Sequence, residues 1–185
     1  MMLPHGYLLG EDERLLNLLA TDCKLAIDLG TCNGKSAVIL SQRAEKVVTV
    51  DLFEDFNLIT NEGSRAHYKN IFDANPHYYD DVKKNLAEFT NIEVLKENTA
   101  EAANRFTPLS VDLVFFDGDH SFSGLSQDVY NWILKVKHNG YLLFHDGTDD
   151  RWDVRNYCDL LPVLQPVHEI KSECTASSIR MFQKL

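Results

Sequence analysis

The chain has 185 residues, 28 Asp and Glu against 18 Lys and Arg, and a formal net charge of -10, which argues against a nucleic-acid or anionic-membrane surface. Its 44% hydrophobic and 25% charged residues are an ordinary globular balance, and the length fits one domain over 1–185. No apolar run reaches the roughly 18 residues that cross a bilayer, the acidic N-terminus lacks a signal-peptide layout, and the scattered cysteines (Cys23, Cys32, Cys158, Cys174) form no CxxC pair, so a cytoplasmic chain with free thiols is expected.

Glu11 to Ala20 reads as a helix with apolar Leu15, Leu16, Leu18 and Leu19. Leu25 to Leu29 is a buried strand ending at Gly30, Lys35 to Gln42 a helix, and Lys46 to Val50 a second strand ending on Asp51. Phe53 to Pro76 carries breakers and mixes short helix with loop. Tyr78 to Phe89 has helical spacing, Ile92 to Leu95 is a third strand, and Ala100 to Phe106 a short helix. Val111 to Phe116 is a central, almost wholly apolar strand that stops at Asp117. Leu125, Val129, Trp132, Ile133 and Val136 predict a helix ending near Asn139-Gly140, followed by a fifth strand, Tyr141 to Phe144, that runs into His145-Asp146. A helix from Val154 stops at Leu161, before Pro162. Val167 to Ser172 and Ser178 to Phe182 close the chain as two strands around a turn at Cys174 to Ser177.

This alternation predicts a doubly wound, Rossmann-like α/β fold: a mostly parallel sheet with helices on both faces and a C-terminal antiparallel hairpin. Ligands of such sheets sit at the carboxyl ends of the strands. Asp28-Leu29-Gly30, Asp51, Asp117 to His120 and His145-Asp146 are the polar groups found there.

The loop after strand one, Asp28 to Ser36, is a ligand loop. A P-loop would need Gly at position 29, which is Leu. A dinucleotide fingerprint would need Gly where Cys32 and Lys35 stand. The remaining pattern, Asp28-x-Gly30-x-x-x-Gly34, resembles motif I of the S-adenosylmethionine-binding methyltransferases. The resemblance implies that Gly30 and Gly34 let the backbone pass close to the methionine part of the ligand, and that Asp28 answers its ammonium. Asp51, about 20 residues past the glycines, is placed to accept from the ribose hydroxyls. Asn98-Thr99 would lie near the adenine, where the family often has an acid.

Asp117-Gly118-Asp119-His120-Ser121, with His145-Asp146 after strand five, resembles the class I methyltransferases that carry DGDHS and HD in this order; the likeness runs from about Leu25 to Leu161. Related macrolide-sugar and catechol-type O-methyltransferases hold a divalent cation such as Mg²⁺ on acids at these strand ends. By position, Asp117 and Asp146 would be the ligands here, completed by His145 or Asp119, with Gly147 standing where catechol-type enzymes have Asn. Asp117, His120 and His145 are the candidate catalytic residues, with either imidazole able to take a hydroxyl proton. The run [N/D]-P-P-[Y/F] of many N-methyltransferases is absent, so the expected acceptor is a small hydroxylated metabolite rather than nucleic acid. Two rivals keep the same motifs: an S-adenosylmethionine-binding module without turnover, and a related metal-dependent enzyme such as a hydroxylase.

Overall fold

The computed structural model describes residues 3–53, 62–165, 170–176 and 178–185. In chain order the elements are α1 (Gly10–Leu19), β1 (Leu25–Leu29), α2 (Lys35–Ser41), β2 (Lys46–Asp51), α3 (Glu62–Ala74), α4 (Tyr78–Leu86) and β3 (Ile92–Lys96). Then come α5 (Thr99–Ala102), a 3-10 turn at Ala103–Arg105, β4 (Val111–Phe116), α6 (Phe122–Trp132), β5 (Val136–Phe144), α7 (Asp153–Leu164), β6 (Ile170–Ala176) and β7 (Ile179–Lys184). The seven strands form one sheet in the order β3-β2-β1-β4-β5-β7-β6. The first five are parallel, while β7 runs antiparallel to both β5 and β6. The expected Rossmann-like sheet with a C-terminal hairpin is what the chain adopts.

Buried apolar strands explain the layering. Ile27, Leu29, Val48, Val114 and Phe116 pack on one face against Val129 and Trp132 of α6 and Tyr157 and Leu161 of α7. Ala26, Val47, Leu113 and Phe115 face the other way, onto Leu16 of α1 and Ala37 and Leu40 of α2. This alternation along each strand is the two-sided burial that a central parallel sheet requires. No described helix is long and apolar enough to cross a membrane.

Three boundaries differ from the sequence reading. Helix α6 ends at Trp132, and Val136 to Gly140 belong to β5. The buried Lys184 ammonium donates to the carbonyls of Ile133 (2.9 Å) and Val136 (2.8 Å), which takes up acceptors at the helix end from a distant strand. Asn139, at φ +63°, then turns the chain through an irregularity in the β4–β5 pairing. Helix α7 continues through Pro162 to Leu164. Pro162 lies in the last turn, where its missing N–H forfeits one bond and the buried face of Val154, Tyr157, Cys158 and Leu161 is already packed. At the hairpin, β6 extends to Ala176, paired with Ile179, so Cys174 to Ala176 are strand rather than turn; Ser177 and residues 167–169 lie outside the described residues. Within the 53–76 segment, α3 spans Glu62–Ala74, and 54–61 are likewise outside.

The hairpin is fastened to the N-terminal helix by Asp12. This carboxylate is fully buried and accepts from the Ser178 amide (3.1 Å), the Ser178 hydroxyl (2.9 Å) and the Leu9 amide (3.0 Å). Asp12→Ala leaves these donors without their partner and should destabilise the protein by about 2–3 kcal/mol, read as a lower urea midpoint with an unchanged slope.

Candidate active site

The carboxyl ends of β1, β2, β4 and β5 are stitched together just beyond the strands. Gly30 N–H donates to Val50 O (2.9 Å), Asp117 N–H to Leu29 O (2.8 Å) and His145 N–H to Phe116 O (3.1 Å). Gly30 has φ +99°, and a Cβ there would stand 2.2 Å from the Asp117 carbonyl oxygen. The glycine loop and the DGDHS segment therefore touch through their backbones. Gly34, at φ +87°, opens α2, and a Cβ there would lie 2.7 Å from a Leu86 methyl of α4. Left-handed backbone favours glycine at both positions, with the Asp117 carbonyl leaving no room for a side chain at Gly30 and Leu86 crowding Gly34.

Asp28 is fully buried at the root of this loop. Its Oδ2 accepts from Thr49 Oγ1 (2.7 Å), and that hydroxyl shares a 2.7 Å hydrogen bond with Thr31. No described residue donates to its Oδ1 within hydrogen-bond geometry, though the Ser36 hydroxyl lies near enough to favour the ionised form. Burial pushes its carboxyl up to about 7, against the opposing Thr49 hydrogen bond. Asp51 is 7% exposed and braces the loop: Oδ2 accepts from Cys32 N–H (3.1 Å) and Oδ1 from Phe53 N–H (3.2 Å). Burial raises its pKa as well. The Tyr78 hydroxyl of α4 donates to Cys32 Sγ (3.7 Å), and the charge of Asp51 is the main cause that holds the Tyr68 hydroxyl of α3 well above its ordinary pKa. Helices α3 and α4 thus border the loop.

The second group lies across the Gly30–Asp117 contact. His145, 5% exposed, meets Asp117 Oδ1 through Nδ1 at 2.8 Å. His120 points Nδ1 at the Gly118 carbonyl (2.8 Å), which fixes Nδ1 as the protonated nitrogen of the neutral ring and turns Nε2 inward. There Nε2 lies 3.4 Å from Asp146 Oδ2 and 3.5 Å from Asp117 Oδ1. Burial works against a charge on either imidazole, but the carboxylates outweigh it: Asp117 lifts His145 to about 9, and Asp146 with Asp117 raises His120. Burial opposes ionisation of Asp146 too, yet the His120 hydrogen bond and the His145 charge hold it below the usual carboxylate range. The His120 ring packs 5.4 Å from that of Trp152, just before α7. One ligand atom from each of Asp117, His120 and His145 falls within a 4.8 Å spread, with Asp146 alongside.

The residues singled out in sequence converge, with two reassignments. Asp119 is outside that donor group: its Oδ1 accepts from Ser121 N–H (2.9 Å) and its side chain packs against Gly124 of α6, so it shapes the helix entry. Asn98 Oδ1 caps α5, accepting from Ala100 N–H (3.0 Å) and Glu101 N–H (3.2 Å), which commits its carbonyl to the fold. Thr99 lies between α5 and α6: its hydroxyl donates to Asp128 Oδ1 (2.6 Å), and its carbonyl accepts from the Trp132 indole (2.8 Å). Asp128 escaped the sequence reading. It is 5% exposed, and burial pushes it up to about 7. The available signal was an acid on the apolar stripe of α6, three residues after Leu125 and four before Trp132.

Residues 27–147 match the family model described as a methyltransferase domain. An uncharacterised protein of Acanthamoeba polyphaga mimivirus is 24% identical over 147 residues, covering 76% of this chain; the chain spans 59% of that relative's length. Among solved structures, an O-methyltransferase from Bacillus cereus in complex with SAH superposes with TM-score 0.65 at 14% identity, covering 99% of this chain and 84% of its own. A precorrin-6y C5,15-methyltransferase from Geobacter metallireducens gives 0.63 at 12% identity, with 98% and 93% covered. An rRNA methylase from Streptococcus thermophilus gives 0.57 at 13%, with 94% and 93% covered. These likenesses are of fold, shared by proteins whose acceptors differ.

The pKa of Asp28 carries a sign that can be measured. Its folded value lies above the unfolded one, so the ligand-free protein holds an extra proton between pH 4 and pH 7 (about the two values) and loses stability as pH rises through that window. Asp28→Asn should therefore gain stability relative to the parent at pH 8 compared with pH 4.5, in denaturant titrations at both values. A difference independent of pH would mean that Asp28 is ionised in the folded state throughout.

Proposed function

The chain belongs to the methyltransferase-domain family; from that premise we propose that it is an S-adenosylmethionine-dependent methyltransferase and transfers the methyl group to the oxygen of a small hydroxylated molecule. The proposal follows the DGDHS/HD group of class I enzymes and takes the whole chain as one catalytic domain acting in the cytoplasm. The observation that carries it is His120 Nε2 lying within 3.5 Å of both Asp117 and Asp146, directly across the Gly30 contact from the glycine loop.

The residues fit the cofactor. Asp28 offers a buried oxygen to which no described residue donates toward an ammonium, the Asp51 carboxylate ends β2 beside the loop where it can accept from ribose hydroxyls, and the acidic surroundings suit a cation. Thr99 borders the base. When bound, S-adenosylmethionine supplies an electrophilic methyl on a positively charged sulfur. His120 takes the acceptor's hydroxyl proton on Nε2, and Asp146 with Asp117 stabilises the resulting imidazolium. Passing that methyl to the acceptor oxygen would release S-adenosylhomocysteine and leave the acceptor's proton on His120 Nε2. Asp117, clamped to His145, holds the loop in place, and such alignment supplies much of the rate in an in-line displacement. Trp152 beside His120 is a wall for the acceptor, and α3 at Tyr68 is the border where acceptor choice would lie.

A second reading is favoured by the tight donor group. Asp117 and Asp146, with the His120 and His145 imidazoles, would hold a divalent cation that acidifies the acceptor hydroxyl. Mixed oxygen and nitrogen donors suit Mn²⁺, Fe²⁺ or Zn²⁺ better than Mg²⁺.

Two outcomes are expected. Asp51→Ala weakens S-adenosylhomocysteine binding by about 1.5–3 kcal/mol in calorimetry; unchanged affinity removes Asp51 from the site. With an acceptor found by labelled-methyl transfer to a panel of hydroxylated small molecules, His120→Ala lowers kcat by about 10²–10⁴ while S-adenosylhomocysteine affinity is kept. Activity that survives complete chelation supports the metal-free account; loss restored by one metal ion supports the cation.

A further inference from the structure

We propose that Asp128 selects the base of the bound cofactor, its Oδ2 accepting a hydrogen from the exocyclic amino group of adenine. The inference rests on the cofactor reading above. Asp128 is a carboxyl 95% withdrawn from solvent, in the middle of α6, with no Lys or Arg paired to it among the described residues. Thr99 occupies Oδ1 at 2.6 Å, and no described residue donates to Oδ2. A carboxylate oxygen left this way on a largely buried side chain can accept a hydrogen from a ligand donor.

Its position identifies the donor. The free oxygen faces the Cα of Gly118: a methyl built there would meet Asp128 Oδ2 at 3.8 Å, the Leu29 carbonyl at 3.9 Å and Thr99 Cγ2 at 4.0 Å. That spot lies beside the ends of β1 and β4, and the atoms nearest to it are two acceptor oxygens and one methyl. It thus suits a neutral amino group attached to a flat apolar ring. The ends of the cofactor are already assigned, its ammonium to Asp28, its ribose to Asp51 and its methyl toward His120, so the base remains for the wall formed by Thr99, Gly118 and Asp128. The Thr99 hydroxyl and the Trp132–Thr99 bond hold the carboxyl in place. Burial keeps the Asp128 carboxyl protonated up to about pH 7 without ligand, as expected of a group that lacks a donor until the base arrives.

The test compares S-adenosylhomocysteine with S-inosylhomocysteine, in which a ring carbonyl replaces the amino group, by calorimetry on the full chain. The wild type should prefer the adenosyl compound by roughly tenfold to a hundredfold. Asp128→Ala should narrow the preference to about threefold or less, through weaker adenosyl binding. Asp128→Asn keeps an acceptor oxygen and should fall between the two. Equal, tight binding of both compounds by the wild type overturns the proposal and leaves the cofactor reading intact, as does an unaltered preference in folded Asp128→Ala. Should the Ala variant fail to fold, Asp128→Asn decides on the same ratio, a narrowed preference supporting the proposal and an unchanged one overturning it. Binding of neither compound by the wild type overturns the cofactor reading and this proposal together.

Discussion

At Gly30 the chain leaves β1 so close to the Asp117 carbonyl that no side chain fits between them. The contact is a consequence of the strand order, which places β1 beside β4 and sends their following helices to opposite faces of the sheet. Everything functional is arranged on either side of it. The glycine loop, with Asp28 and Asp51 beneath it, lies to one side; Asp117, His120, His145 and Asp146 lie to the other. A crevice at the point where strand order reverses is where open α/β sheets bind ligands. Here its floor is backbone against backbone, which leaves the side chains around it free for chemistry.

The two sides differ in how their charge is compensated. Asp117 and Asp146 are answered within the protein by the imidazoles of His120 and His145, each of which lies within 3.9 Å of both carboxylates. Asp28, Asp51 and Asp128 have no Lys or Arg partner among the described residues, and burial raises the pKa of all three. Hydroxyls and backbone amides satisfy them only in part. A protein that retains such carboxyls around one crevice is built for a ligand that brings donors and positive charge, which is the character of a sulfonium amino acid joined to an adenine nucleoside. The net charge of -10, which argued against nucleic acid, agrees with this local pattern.

Much of this was legible in sequence because the signals are local. The strands are short buried runs, each ending on a polar residue at the same edge, so Asp28, Asp51, Asp117 and Asp146 could be placed together before any coordinates. Long-range partners account for what was missed. Helix α6 stops at Trp132, and Lys184 of β7 holds the turn that follows by donating to the carbonyls of Ile133 and Val136; nothing near Val136 announces it. Asp119 and Asn98 sit in the expected loops, but their acceptors are used by neighbouring helix starts. Asp128 interrupts an apolar stripe, yet its role depends on Thr99 and Gly118, which the chain brings together only on folding. Gly34 was read as making room for a ligand, whereas Leu86 of α4 also requires it.

A crystal structure of the protein with S-adenosylhomocysteine tests the central claim most directly. The account predicts the ribose on Asp51, the ammonium toward Asp28, and the sulfur above the Gly30–Asp117 contact with its open side facing His120 Nε2. A ligand bound elsewhere, or one whose sulfur faces away from His120 and Asp146, would contradict it.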